Sequence, residues 1–177
     1  MDDNFSPRVK DVIAYSKEEA LRLGHNFIGT EHLMLGILRD GGGKAIAILN
    51  SIEINLDELR RKVEILNPAA LEDAQLINDK KNLHLTRQAE RALKTTFLEA
   101  KLFQCELINT VHLLLCILRN ENDPTTKLIQ KYHVNYDDVK TLYKQLHVDD
   151  LDVDLPFEFP PLFVLSVSSD LPNIFSC

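Results

Sequence analysis

The chain repeats itself at a spacing of 80 residues, and this constrains its fold more than composition can. Thr30-Glu31-His32-Leu33-Met34-Leu35-Gly36-Ile37-Leu38-Arg39 returns as Thr110-Val111-His112-Leu113-Leu114-Leu115-Cys116-Ile117-Leu118-Arg119. Between residues 28–39 and 108–119, 8 of 12 positions are identical. The register holds without a gap outside that segment: Ser6 falls on Thr86, Glu19-Ala20 on Glu99-Ala100, and Asn55 on Asn135. Units that match in sequence are expected to match in structure. A unit of ~60 residues buries little core alone, so the two are expected to pack through a pseudo-two-fold interface. The competing arrangement is two tandem bundles with no shared core.

Each unit reads as four helices, so the expected fold is all-α: eight helices as two tandem pseudo-symmetric four-helix repeats, followed by an irregular C-terminal tail. Ser6 is a good N-cap with Pro7 at the first helical position. Val9, Val12, Ile13, Ser16, Ala20 and Leu23 recur at the spacing of one buried face, and Gly24 is a plausible stop. Thr30 is expected to cap a second, strongly apolar helix, Leu33 to Leu38, whose weak amphipathicity suits a central position. After Gly41-Gly42-Gly43 a short third helix covers about Lys44 to Asn50. Asn55 caps a fourth, with Glu58 three residues on in a capping-box pattern. The second unit follows suit, with Thr86, Thr110, Asp123-Pro124 and Asn135 at its starts and an end near His147. No strand periodicity appears before residue 150. The expected domain is residues 1–147: repeat one 5–66, linker 67–82, repeat two 83–147.

Charge divides along the same boundaries. The net charge is −7. Residues 1–66 carry −2, residues 67–147 carry +1, and residues 148–177 carry −6. A nearly neutral domain with dispersed Lys and Arg argues against a nucleic-acid partner. No apolar run approaches the ~18 residues of a membrane span, and the acidic start has no signal-peptide core. Cys105, Cys116 and Cys177 form no C-x-x-C pair, which fits a reducing compartment and a cytoplasmic location.

Few residues suggest chemistry. His32 and His112 stand at equivalent places and read as structural histidines. Glu31 sits in the first turn of an apolar helix, where an acid suits the dipole. It could also meet a cationic ligand group, ideally a bidentate guanidinium. Its counterpart is Val111. Ser6 offers a hydroxyl at a helix N-terminus, which can hold a phosphate or simply cap. Gly41-Gly42-Gly43-Lys44 follows a helix and lacks phosphate-loop spacing. No catalytic motif occurs, and no cofactor is implied. A helical metal-dependent enzyme using His25, His32 and Glu31 is the alternative from another class, with no ligand spacing to support it.

The paired Thr-x-His-Leu-x-Leu helices, with Phe5-Ser6-Pro7-Arg8, Glu18-Glu19-Ala20-Leu21-Arg22-Leu23-Gly24-His25-Asn26 and Leu85-Thr86-Arg87-Gln88-Ala89, resemble the N-terminal domain of Clp AAA+ ATPases, the ClpC branch above all. The likeness covers about residues 4–147. It implies a non-catalytic docking module for adaptor proteins and protein substrates, which hands them to an ATPase ring and a Clp peptidase in regulated proteolysis. In the ClpC branch the domain also recognises phosphorylated arginine. Carried over, a first pocket uses Ser6 toward the phosphate and Glu31 toward the guanidinium, with Thr30 beside it. The second keeps Thr86 but has Val111 for the acid and Asn109 for glycine. It is therefore expected to be degenerate, since a guanidinium without its acid is costly to bury. The family's ATPase modules, with their Walker motifs, are absent from these residues. The chain is then an excised domain, a truncated product, or a stand-alone regulator competing for adaptors, and monomeric by itself.

The last segment, 148–177, is different in kind. It is acidic at Val148-Asp149-Asp150-Leu151-Asp152-Val153-Asp154, then Pro-rich and apolar from Phe157 to Val167. It is expected to be disordered.

Overall fold

A computed structural model describes residues 4–68 and 83–153, with side chains described as far as Leu146. The elements in chain order are α1 (Pro7–Arg22), β1 (Phe27–Ile28), α2 (Thr30–Asp40), α3 (Gly43–Ser51), α4 (Leu56–Glu64), β2 (His84–Leu85), α5 (Arg87–Leu102), α6 (Thr110–Leu118), α7 (Pro124–Gln130) and α8 (Tyr136–Val153). The eight expected helices are all present, and α1–α4 correspond to α5–α8.

Most helix starts are made by the residues that local chemistry selects. Ser6 Oγ accepts the Val9 N–H at 3.3 Å, and Thr86 Oγ1 accepts that of Ala89 at 3.2 Å. Asn55 and Asn135 each accept an N–H three residues on, at 3.0 Å. Only the second completes a capping box, with Asp138 Oδ2 reaching back to the Asn135 N–H. Glu58 turns instead to Lys62, four residues on, at 2.5 Å.

Thr30 and Thr110 are corrected by the structure. The N-caps of α2 and α6 are Gly29 and Asn109. Each threonine reaches across to the other unit: Thr30 Oγ1 donates to Asp123 at 2.9 Å, and Thr110 Oγ1 accepts the Ala45 N–H at 3.2 Å. An orphan N–H at the start of α3 thus finds its partner in the opposite unit, and the Asp123 carboxylate that caps α7 is itself held from the opposite unit. The backward capping contact falls to the histidines. His32 Nδ1 accepts the Gly29 N–H at 2.9 Å, and His112 Nδ1 that of Asn109 at 3.0 Å.

The units are joined by an exchange of starts. The Thr86 N–H donates to Ile28 O, and the Ser6 N–H to Ile108 O, both at 2.9 Å. Around these contacts β1 pairs with β2 in parallel, and Phe5 bridges Ile108. The sequence reading contained no strand, because a two-residue strand has no room to display alternation. One apolar cluster spans both units, with α2 and α6 at its centre. All nine residues of α6 are buried. The interface is symmetric in its choice of partners: α3 meets α6 and α8, while α7 meets α2 and α4. The two-bundle alternative with separate cores is not what forms.

A buried acid braces each first helix. Glu19 takes Arg22 and Arg39 at 2.6 and 3.1 Å, and Glu99 takes Arg119 at 3.1 Å and the Tyr136 hydroxyl at 3.0 Å. Burial pushes the Glu19 carboxyl up, but hydrogen bonds from Arg22 and Arg39 and the charge of Arg60 outweigh it and hold it below the usual range. The α8 helix runs to Val153, past the expected end near His147. Residues 69–82 of the expected linker, and the tail from 154, lie outside the described residues.

Candidate functional site

Glu31 enters α2 in its first turn, where the N-terminal dipole favours a carboxylate. What lets it fold back over the helix start is Gly29. A Cβ at position 29 would stand 2.6 Å from Glu31 Cδ, so the carboxylate occupies the space a side chain would need. Gly29 has an ordinary extended backbone, with φ −97°, so close approach rather than conformation selects glycine here. Glu31 Oε1 accepts the Asn67 amide at 2.7 Å.

The carboxylate lines a cavity of about 540 Å³ at the junction of the units, together with Thr30, His25, Thr86, Gln88 and Asp123. Ser6 is not among its lining residues; Thr86 is. The exchange of starts is the reason. Thr86 is bonded to Ile28, just before α2, whereas Ser6 is bonded to Ile108, just before α6. The geometry therefore groups Glu31 and Thr30 with Thr86, and Ser6 with the Val111 end of unit two.

Asp123 is the site residue that sequence reasoning missed, having read it only as a helix start. It is buried, accepts the Thr30 hydroxyl at 2.9 and 3.0 Å, and accepts the Thr125 N–H at 2.9 Å. The available signal was its counterpart at the 80-residue offset, Gly43, which has no side chain to offer. Among the described lining residues are two carboxylates and no Lys or Arg, which makes this cavity a place for a cation.

Behind Glu31 runs a short relay. The Gly29 N–H occupies His32 Nδ1, so the His32 proton sits on Nε2 and is donated to His25 Nδ1, 2.7 Å away. Burial, with the charge of His25, pushes His32 down to about 4 against the opposing pull of Glu19. Both ring nitrogens of His32 are thus engaged in a neutral imidazole. Among the described residues no group of three or more His, Cys, Asp or Glu is placed to hold a metal ion.

The equivalent place in unit two is filled. Asn109 occupies the space that Gly29 leaves open: its Oδ1 accepts the Val111 N–H at 2.9 Å and its Nδ2 donates to the Tyr143 hydroxyl at 2.8 Å. Val111 is fully buried. The exchanges Gly29 to Asn109 and Glu31 to Val111 are therefore one coupled change: when the acid goes, its space goes too. His112 Nε2 is buried with no hydrogen-bond partner among the described residues, and Cys105 stands where unit one has His25. The Phe103 and Tyr143 rings pack around it, at 5.9 and 5.8 Å between centroids.

Comparison with known proteins places this arrangement among relatives. The family profile of the Clp repeat (R) N-terminal domain matches residues 4–132. The chain is 33% identical over 154 residues to a probable ATP-dependent Clp protease ATP-binding subunit of Chlamydia pneumoniae, covering 86% of this chain and 18% of that protein. It is 31% identical over 142 residues to the negative regulator of genetic competence ClpC/MecB of Bacillus subtilis (strain 168), covering 80% of this chain and 17% of that one. The chain thus spans less than a fifth of the length of these relatives. Its fold is similar to the N-terminal domain of the caseinolytic protease associated chaperone ClpD from Arabidopsis thaliana, with TM-score 0.62 and 17% identity, over 80% of this chain and 96% of that one.

Proposed function

Because the chain belongs to the Clp repeat (R) N-terminal domain family, we propose that it is a docking module for adaptor proteins and protein substrates of a ClpC-like unfoldase, working in the cytoplasm. In this role it carries out no chemistry of its own. It delivers proteins to ATPase modules and, through them, to a Clp peptidase. The cavity at Glu31 receives a phosphorylated arginine side chain. The observation that carries this reading is a buried carboxylate beside a helix start, in a cavity with no Lys or Arg among its described lining residues. The guanidinium lies against Glu31 in a bidentate pair, with Asp123 adding negative potential and Thr30 holding Asp123 in place. The phosphoryl group lies toward the Thr86 hydroxyl and the N-terminus of α5, where free N–H groups and the dipole favour an anion. Unit two offers no equivalent, so the module has one such site.

Titration calorimetry with phosphoarginine, with arginine and inorganic phosphate as controls, tests this. Binding of one phosphoarginine per chain is expected, weakened at least about tenfold by Glu31→Gln, since a hydrogen bond to a charged group is worth ~1.5–3 kcal/mol. Ser6→Ala is expected to leave it unchanged. Two equivalent sites, or binding indifferent to Glu31→Gln, would overturn the assignment.

A further inference from the structure

The two units share a scaffold but not a charge pattern, and a second groove runs along α5 of unit two, where the difference is concentrated. It has a volume of about 470 Å³ and is lined by Gln88, Arg91, Thr95, Leu98, Arg119 and Asn120. It shares Thr30 and Gln88 with the Glu31 cavity, so the two lie side by side. Arg91, Thr95, Leu98 and Leu102 follow one another at steps of four, three and four residues, which puts them on one stripe of α5. Leu98 and Leu102 are 41% and 58% exposed, so the stripe presents apolar surface to solvent beyond its cation.

At the equivalent place unit one pairs its own charges. There the stripe reads Asp11, Tyr15, Glu18, Arg22. Arg39, the counterpart of Arg119, lies 4.8 Å over the Tyr15 ring and pairs with Glu18 at 2.5 Å and Glu19 at 3.1 Å. Arg8 pairs with Asp40 at 2.6 Å. In unit two that last pair becomes Gln88 and Asn120, both neutral, while Glu18 becomes Leu98 and Asp11 becomes Arg91. Arg119 keeps the Glu99 carboxylate at 3.1 Å and has lost its second acid. Among the described residues no carboxylate pairs with Arg91. The scaffold therefore holds Arg91, to which no described carboxylate is paired, and Arg119 with one acid where Arg39 has two, next to two exposed leucines.

We propose that this groove is a docking subsite for an acidic, amphipathic peptide segment of a partner protein, whose carboxylates meet Arg91 and Arg119 and whose apolar side chains cover Leu98 and Leu102. Charge complementarity selects this partner: a guanidinium fork matches a carboxylate, and the neighbouring leucines demand an apolar side chain close to it. The inference rests on the reading of the chain as a docking module but uses a different surface from the Glu31 cavity.

Fluorescence anisotropy tests it on the full chain with a labelled 15-residue peptide of Glu and Leu at helical spacing, and with a matched peptide in which every Glu is Gln. The Glu peptide is expected to bind, more weakly as salt rises, and the Gln peptide at least about tenfold more weakly. Arg91→Asp and Leu98→Glu install the unit-one residues at exposed positions, and each is expected to weaken binding about tenfold or more with an unchanged helical spectrum. Equal binding of both peptides, no binding of the Glu peptide, or indifference to both substitutions would overturn the proposal. So would an equal loss in Glu31→Gln, which would put the peptide in the other cavity. Phosphoarginine calorimetry on the Arg91→Asp sample separates the two proposals. Phosphoarginine retained with the peptide lost isolates the groove, while peptide binding by the unsubstituted chain without any phosphoarginine binding defeats only the Glu31 assignment.

Discussion

Asp123→Ala tests whether the units are held together by specific polar contacts or only by shared apolar surface. Asp123 is 1% exposed and does two jobs. It caps α7 through the Thr125 N–H at 2.9 Å, and it accepts the Thr30 hydroxyl from a helix 93 residues away in sequence. Loss of the cap costs about 1 kcal/mol. Stranding the buried Thr30 hydroxyl, with only the Thr125 hydroxyl at 3.1 Å left to it, costs a further ~1–2 kcal/mol. A total of about 2–3 kcal/mol is expected. Thr30→Val keeps the shape and removes the donor, leaving a buried carboxylate short of a bond, for about 1–2 kcal/mol. Once Asp123 is gone the Thr30 hydroxyl has little to do, so the double variant should fall short of the sum by about 1 kcal/mol or more. Equilibrium urea unfolding followed by circular dichroism at 222 nm suits a chain with no tryptophan. Equal slopes would show that the midpoint shift is a stability change. Additivity within about 0.5 kcal/mol would refute a direct coupling between the units at this point.

Other consequences are open to test. Gln104 has φ 54° where its counterpart Gly24 has φ 74°, so Gln104→Gly should stabilise the fold by ~0.5–1 kcal/mol in the same unfolding assay, and a loss would contradict the strain argument. Gly29→Asn should push the flexible Glu31 carboxylate aside with little effect on melting but about tenfold or greater loss of phosphoarginine affinity. Conversely, Val111→Glu alone should destabilise by a few kcal/mol, and adding Asn109→Gly should recover part of that. His32 and His112 are pushed down to about 4 and about 3, chiefly by burial, from an ordinary value of 6.5. A base depressed on folding contributes stability that is complete above pH 6.5 and is lost as pH falls toward the folded value. Each histidine contributes a slope of at most ~1.4 kcal/mol per pH unit, so unfolding between pH 7 and 5 should become steeply easier, and His112→Phe should halve the slope. A flat profile would show that these imidazoles are not buried neutral.

Much of the architecture was legible because its causes are local. Ser6, Thr86, Asn55, Asp123 and Asn135 cap helices that begin within three residues of them, and the apolar spacings of α1 and α5 are complete within each helix. Glu31 and Val111 could be singled out because the repeat supplies its own control, one unit against the other. What escaped was every choice of partner made across the interface. A threonine at a helix start looks like a cap, and nothing within a few residues of Thr30 announces that its hydroxyl will meet Asp123.

The sequence by itself thus determined that there are two copies of one helical unit, where their outer helices start, and that only one copy carries the acid at the head of its central helix. Only the tertiary structure decided that the copies exchange their first residues. Thr86 of one unit thereby stands beside Glu31 of the other, and Ser6, the expected partner, is bonded instead to Ile108 ahead of α6. The physical reason is range. Helix caps and periodicity are settled by neighbours in the chain, whereas the exchange is settled by backbone groups far apart in it, Thr86 with Ile28 by a reach of 58 positions and Ser6 with Ile108 by a reach of 102. No local pattern encodes such a pairing; it follows from burying two apolar helices against each other in one core.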